Sequence, residues 1–218
     1  METSKFIIKD EYGKNCLAAT MGDEACGGSR KPEGYVEIYE IDEDGNQQLV
    51  GKSNLVVYVG RELIAQKITR LNNPSVDTQY EEGLYWLGIG SGGVSVGDPF
   101  NPNPPISTDD DLYESLPISA TDVACGDLRG TDYYKKPIEA IEFQQDPYND
   151  NAWIILQTTS RIGVSDSLGL NISEAGLFSA VDNSPGASGP FHLFSRVTFP
   201  TIVKTNTRQL LFIWYIYT

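Results

Sequence analysis

One histidine in 218 residues leaves little room for imidazole chemistry. A Ser-His-Asp or Cys-His mechanism would have to use His192, which stands between Phe191 and Leu193 and reads as a packed strand residue. The three cysteines, Cys16, Cys26 and Cys125, include no CxxC pair. They exclude a Cys/His zinc site and a disulfide framework, and allow at most one Cys16–Cys26 bridge across a glycine-rich loop. Basic residues are also scarce: 16 lysines and arginines face 30 acids, giving a net charge of −14 and a pI near 4.4. Nothing could neutralise a run of phosphates, so neither a nucleic-acid partner nor an anionic membrane is expected. No apolar run approaches the ~18 residues of a membrane span. The start, METSKFIIKDEYG, lacks the basic region and apolar core of a signal peptide, so cytoplasmic synthesis is expected.

What the chain has is strand-forming sequence. Apolar residues make up 40% and aromatics 11%, enough for a real core. The stretch from Phe191 to Thr218 dominates. In its first arm Phe191, Leu193, Val197 and Phe199 alternate with His192, Arg196 and Thr198, the period of a half-buried strand. Its second arm is apolar on both sides: Leu210, Phe212, Trp214 and Ile216 on one, Leu211, Ile213, Tyr215 and Tyr217 on the other. Such a strand must be covered twice, by a second sheet and by a helix or another subunit.

Upstream, residues 1–34 read as an irregular, acidic, glycine-rich arm, and 35–218 as one domain. Tyr35 to Leu49 reads as a hairpin turning through Asp42-Glu43-Asp44-Gly45-Asn46; a calcium loop would need further ligands and a closing glutamate. Ser53 to Leu71 carries a helical stripe of Leu55, Val56, Val59, Leu63, Ile64, Ile68 and Leu71, with Asn72-Asn73-Pro74 as the stop. Gly60 weakens it by about 1 kcal/mol, so its first turns are open to being extended. Gly83 to Gly93 reads as a buried strand running into a glycine turn. Its GIGSGG opens no helix and is not a dinucleotide fingerprint.

Residues 94–136 form a long proline-rich loop insertion, and its Asp109-Asp110-Asp111 reads as a solvated acidic tip. Pro137 to Gly163 reads as a second hairpin, and Leu170 to Ala180 as a further strand. Glu174 is the one acid inside an apolar strand. It is expected to pair with a backbone amide or Arg196 rather than act as a general acid. No G-x-S-x-G elbow occurs and no carboxylate pair stands out, so no catalytic, cofactor-binding or metal-ligating residue is assigned.

Five segments occur in a set order: Asn54-Leu55-Val56-Val57 with Gly60-Arg61-Glu62 and Ile64-Ala65; Leu87-Gly88-Ile89-Gly90-Ser91-Gly92; Ser173-Glu174-Ala175-Gly176-Leu177-Phe178; Ser195-Arg196-Val197-Thr198-Phe199; and Phe212-Ile213-Trp214. Together they resemble a group of tailed-bacteriophage virion proteins, over roughly residues 50–218. The resemblance implies a structural subunit located in the virion, in the neck, tail or fibre-attachment region or as a capsid decoration protein. It implies homo-oligomers and other virion proteins as partners, and carries no catalytic residues.

The residues themselves suggest an all-β, mainly antiparallel sandwich, jelly-roll-like, with one packed α-helix. Two other classes compete. A carbohydrate-binding sandwich would need exposed Trp86, Trp153 or Trp214 for stacking. An enzyme would need carboxylate chemistry.

Overall fold

The computed structural model describes residues 8–9, 15–16, 33–52, 55–57, 60, 83–145 and 154–217. The chain divides into two compact units, 1–31 and 32–218. In the first, β1 (Ile8–Lys9) pairs antiparallel with β2 (Asn15–Cys16). Cys26, and with it the possible Cys16–Cys26 bridge, lies outside the described residues.

The second unit is an antiparallel β-sandwich. One sheet has five strands: β3 (Glu33–Ile41), β4 (Gln47–Lys52), β11 (Ala140–Gln145), β12 (Ile154–Ile162) and β15 (Gln209–Tyr217). Their order is β11-β12-β15-β3-β4. The doubly apolar C-terminal strand thus takes the central position, paired along its length with β12 and β3. A central strand has no free edge and gains the most from apolar side chains on each face.

The other sheet has six strands: β5 (Leu55–Val56), β6 (Gly83–Gly90), β9 (Gly126–Arg129), β10 (Asp132–Pro137), β13 (Asn171–Ala180) and β14 (Phe191–Val203). They run β5-β14-β13-β6-β10-β9. A small hairpin, β7 (Val94–Ser95) with β8 (Asp98–Pro102), stands apart from both sheets. The sheets meet through Leu87, Ile89, Leu177, Val197 and Phe199 on one side and Val36, Ile38, Phe212, Trp214 and Ile216 on the other. Phe199 and Phe212 lie 6.2 Å apart across this core. At Gly51 a Cβ would stand 3.2 Å from that of Phe199, so glycine lets β4 approach β14 closely.

The six-stranded sheet is also buried on its outward face. Trp86, Leu112, Phe178, Ala187 and Leu193 form a second apolar cluster there, roofed by segments around Leu112 and Ala187. All but the first residue of β13 is buried in consequence.

Three sequence expectations change. The helix over 53–71 is not supported: Leu55–Val56 is instead an edge strand paired with Ser195 and Arg196. Of the rest of that span only Val57 and Gly60 are described. Gly60 is helical, and a Cβ on it would meet the Phe194 carbonyl oxygen at 2.2 Å, so backbone lies directly on backbone there. The loop over 94–136 holds a hairpin and two sheet strands. Gly130, at φ 69°, turns β9 into β10 and adds both to the six-stranded sheet.

The third change concerns β14. Its pairing shifts by a residue where Leu177 faces Ser195 and Phe178 faces Leu193, leaving Phe194 as the extra residue of a bulge. Leu193 therefore belongs to the outer cluster and Val197 to the core between the sheets, although their spacing assigns them one face.

Candidate functional site

The outer face of the six-stranded sheet carries a buried polar network. Arg196 projects from β14 and Glu174 from β13, and both side chains are fully buried. Arg196 Nε and Nη2 donate to Glu174 Oε2 at 2.9 and 2.6 Å, and Nη1 donates to Asp109 Oδ2 at 2.8 Å. The Glu174 pairing expected from sequence is present, with both a guanidinium and backbone amides. Oε1 accepts from the Gly92 and Glu114 amides at 3.0 Å each, and Oε2 from the Tyr113 amide at 3.4 Å.

Asp109 joins from the loop after β8. It accepts from the Ile106 amide at 3.0 Å and from the Tyr113 hydroxyl at 3.1 Å. The Tyr113 ring covers the guanidinium, with Arg196 Cζ 4.1 Å from its centroid. The aspartate run is thus divided: Asp109 is buried as an ionic partner, while Asp110 and Asp111 remain exposed.

The electrostatics favour a closed unit. Burial works to lower the Arg196 pKa, but its bonds to Glu174 and Asp109 outweigh that and raise it above the usual guanidinium value. The Tyr113 hydroxyl is raised chiefly because it donates to the Asp109 carboxylate. Two acids and one guanidinium share the site, and their lone pairs and N–H groups are met by one another and by the strap 106–114.

Glycine makes the approach possible. A Cβ on Gly93 would lie 1.9 Å from the Ser173 carbonyl oxygen, and one on Gly90 would lie 2.4 Å from Glu174 Oε1. The amides of this turn are engaged: Ser91 donates to the Glu114 carbonyl, Gly92 to Glu174 and Gly93 to Ser173 Oγ. A phosphate at GIGSGG would find them taken.

A second buried cation lies on the same face. Lys135 Nζ of β10 is 4.1 Å from the Phe178 centroid and 3.3 Å from Asp127 Oδ2. Burial lowers its pKa, and Asp127 partly offsets that. Arg129 in turn grips Asp127 through Nε and Nη2 at 3.1 and 2.7 Å. Cys125 is buried nearby, and burial pushes its thiol up to about 12.

The remaining sequence candidates fall elsewhere. His192 lies half-buried in β14, and its carbonyl accepts from Ser179 Oγ. Trp86 and Trp214 are both wholly buried, and Trp153 lies outside the described residues. Asp42 closes the β3–β4 turn by accepting from the amides of Asp44 and Asn46 and from Asn46 Nδ2. Among the described residues no group of three histidine, cysteine or carboxylate side chains is placed to hold a metal ion.

Sequence reasoning had no signal for Asp109, which lies 87 residues from Arg196. The Lys135–Asp127–Arg129 cluster falls in the span read as a loop, so nothing in the sequence marked it. No protein-family model, no curated protein and no solved structure matches this chain.

Proposed function

We propose that this chain is a structural subunit of a tailed-phage particle, working by protein–protein contact in the neck, tail or fibre-attachment region. The carrying observation is where the segments that carry the resemblance come together. Gly92 of the glycine strand, Glu174 of Ser-Glu-Ala-Gly and Arg196 of Ser-Arg-Val-Thr bind one another in one buried clamp. Residues that serve catalysis turn a reactive atom toward a cleft. Here they face inward and fix loops to a sheet, as suits a building block.

The burial of Trp86 and Trp214 weighs against a sugar-stacking surface built on either. A capsid decoration protein is the second reading, and assembly symmetry separates it from the first.

The test is native mass by light scattering on a sizing column, followed by electron microscopy of the main species. A ring of six or twelve fits the neck or tail, and a trimer fits a decoration knob or fibre base. A monomer that turned over a substrate would overturn both.

A further inference from the structure

The β7–β8 hairpin presents apolar side chains to solvent on a rigid base. Val96 is fully exposed at its turn and Phe100 is 78% exposed on β8. Ile106 and Tyr113, also exposed, follow on the strap that the hairpin leads into. The base is anchored rather than loose. The Asn103 amide donates to the Gly93 carbonyl at 2.8 Å, and Thr198 Oγ1 donates to the Asn103 carbonyl at 2.7 Å. Strap and hairpin meet at the glycine turn, where Gly92 lies against Tyr113. Water-facing valine and phenylalanine on a fixed support are a cost in an isolated protein and mark contact surfaces.

Charge identifies the partner. From residue 71 to residue 128 the sequence holds no lysine, arginine or histidine. Asp109 is neutralised by Arg196, and Asp111 lies within electrostatic reach of Arg129 and Lys135, but Asp98, Asp110 and Glu114 belong to the same hairpin and strap as the apolar side chains, with no cation among them in sequence. A second copy would bring the same acidic surface and be repelled, and so would an anionic lipid surface. We infer that this hairpin and strap dock an extended protein segment whose apolar side chains are flanked by lysine or arginine. Val96 and Phe100 anchor the segment's apolar residues, and Asp98, Asp110 and Glu114 meet its cations. The surface stands on its own geometry, so its binding is readable whether or not the chain builds a particle.

The probe is a fluorescein-labelled KFIIK peptide with glycine flanks, the pattern found at Lys5 to Lys9 of this chain. It is compared with QFIIQ and EFIIE versions by anisotropy against the full-length protein. The KFIIK peptide is expected to bind at least ten-fold more tightly than EFIIE, and several-fold more weakly in 0.5 M salt. Val96→Ser with Phe100→Ser, and separately Asp110→Asn with Glu114→Gln, should each weaken binding at least ten-fold. These residues are exposed, so circular dichroism and unfolding midpoint should remain unchanged. Equal binding of KFIIK and EFIIE, binding that survives both double variants, or no binding of any peptide would overturn the inference. A fall in native mass on Phe100→Ser, with no such fall when excess KFIIK peptide is added to the unsubstituted protein, would also overturn it, by showing that a second copy covers the hairpin with something other than such a segment.

Discussion

Replacing Arg196 by methionine tests whether the buried clamp holds the outer face together. The side chain keeps similar bulk but loses three charge-assisted bonds, two to Glu174 and one to Asp109. Breaking a buried pair by removing one partner costs about 3–5 kcal/mol, because the surviving charge stays desolvated. Glu174 retains three backbone amides, and Asp109 retains the Ile106 amide and the Tyr113 hydroxyl, which places the loss at the lower end, about 3 kcal/mol. In urea, with a slope of about 2–3 kcal/mol/M, the midpoint should fall by roughly 1–1.5 M at unchanged slope. Tryptophan fluorescence reports it, since Trp86 lies in the outer cluster and Trp214 in the core between the sheets. Glu174→Gln should cost roughly 1.5–3 kcal/mol, and the double variant should cost less than the sum by ~1–3 kcal/mol, because both act on one bond set. A single Arg196→Met cost under ~1 kcal/mol, or additivity within ~0.5 kcal/mol, would refute the clamp.

Three further substitutions probe separate features. Gly93→Ala, in the turn after β6, places a methyl group 1.9 Å from the Ser173 carbonyl oxygen and should lower the urea midpoint more than a glycine-to-alanine change within the six-stranded sheet; Gly130→Ala, with open space but φ 69°, should cost only about 1 kcal/mol. Thr158→Val removes a buried hydroxyl that has no partner opposite Trp214, and should raise stability by about 1 kcal/mol, read as a higher thermal midpoint. Cys125 titrates near 9.0 unfolded and near 12 folded, so the folded state holds its proton longer and stability falls as pH rises from 9 toward 12. Cys125→Ala should therefore flatten the loss of midpoint between pH 8 and pH 10.5, and an unchanged slope would count against the buried thiol.

Local pattern revealed the longer strands and missed the short ones at Leu55–Val56 and within 94–136. β15 is visible because both its faces are apolar, and the β3–β4 turn because Asp42 and Gly45 are typical turn residues. The faces of β14 were not readable, since the Phe194 bulge moves Leu193 and Val197 onto opposite sides of the sheet. A single extra residue reverses a period-two pattern, and no composition signal marks it. The apolar stripe at Leu55 and Val56 suits a helix or an edge strand equally, and pairing with Ser195 and Arg196 decides between them. Half of the clamp was legible, because a glutamate and an arginine in adjacent apolar strands need each other. Asp109 was not, because an aspartate among aspartates shows no sign of burial until the strap is laid over the sheet.

The clamp and the exposed hairpin belong to one argument. Binding an extended segment costs conformational entropy on both sides, and a contact surface already held in place reduces that cost. The hairpin takes its support from Gly93 and Thr198, and the strap from Glu174, so both depend on the sheet face that Arg196 organises. Arg196→Met should therefore weaken binding of the KFIIK peptide without removing any residue that touches it. Under conditions where the variant is still fully folded, amide exchange at Gly92, Tyr113 and Glu114 should quicken alongside that weakening. Faster exchange with undiminished binding would separate the two, and would mean that the β7–β8 hairpin is held by its own hydrogen bonds alone.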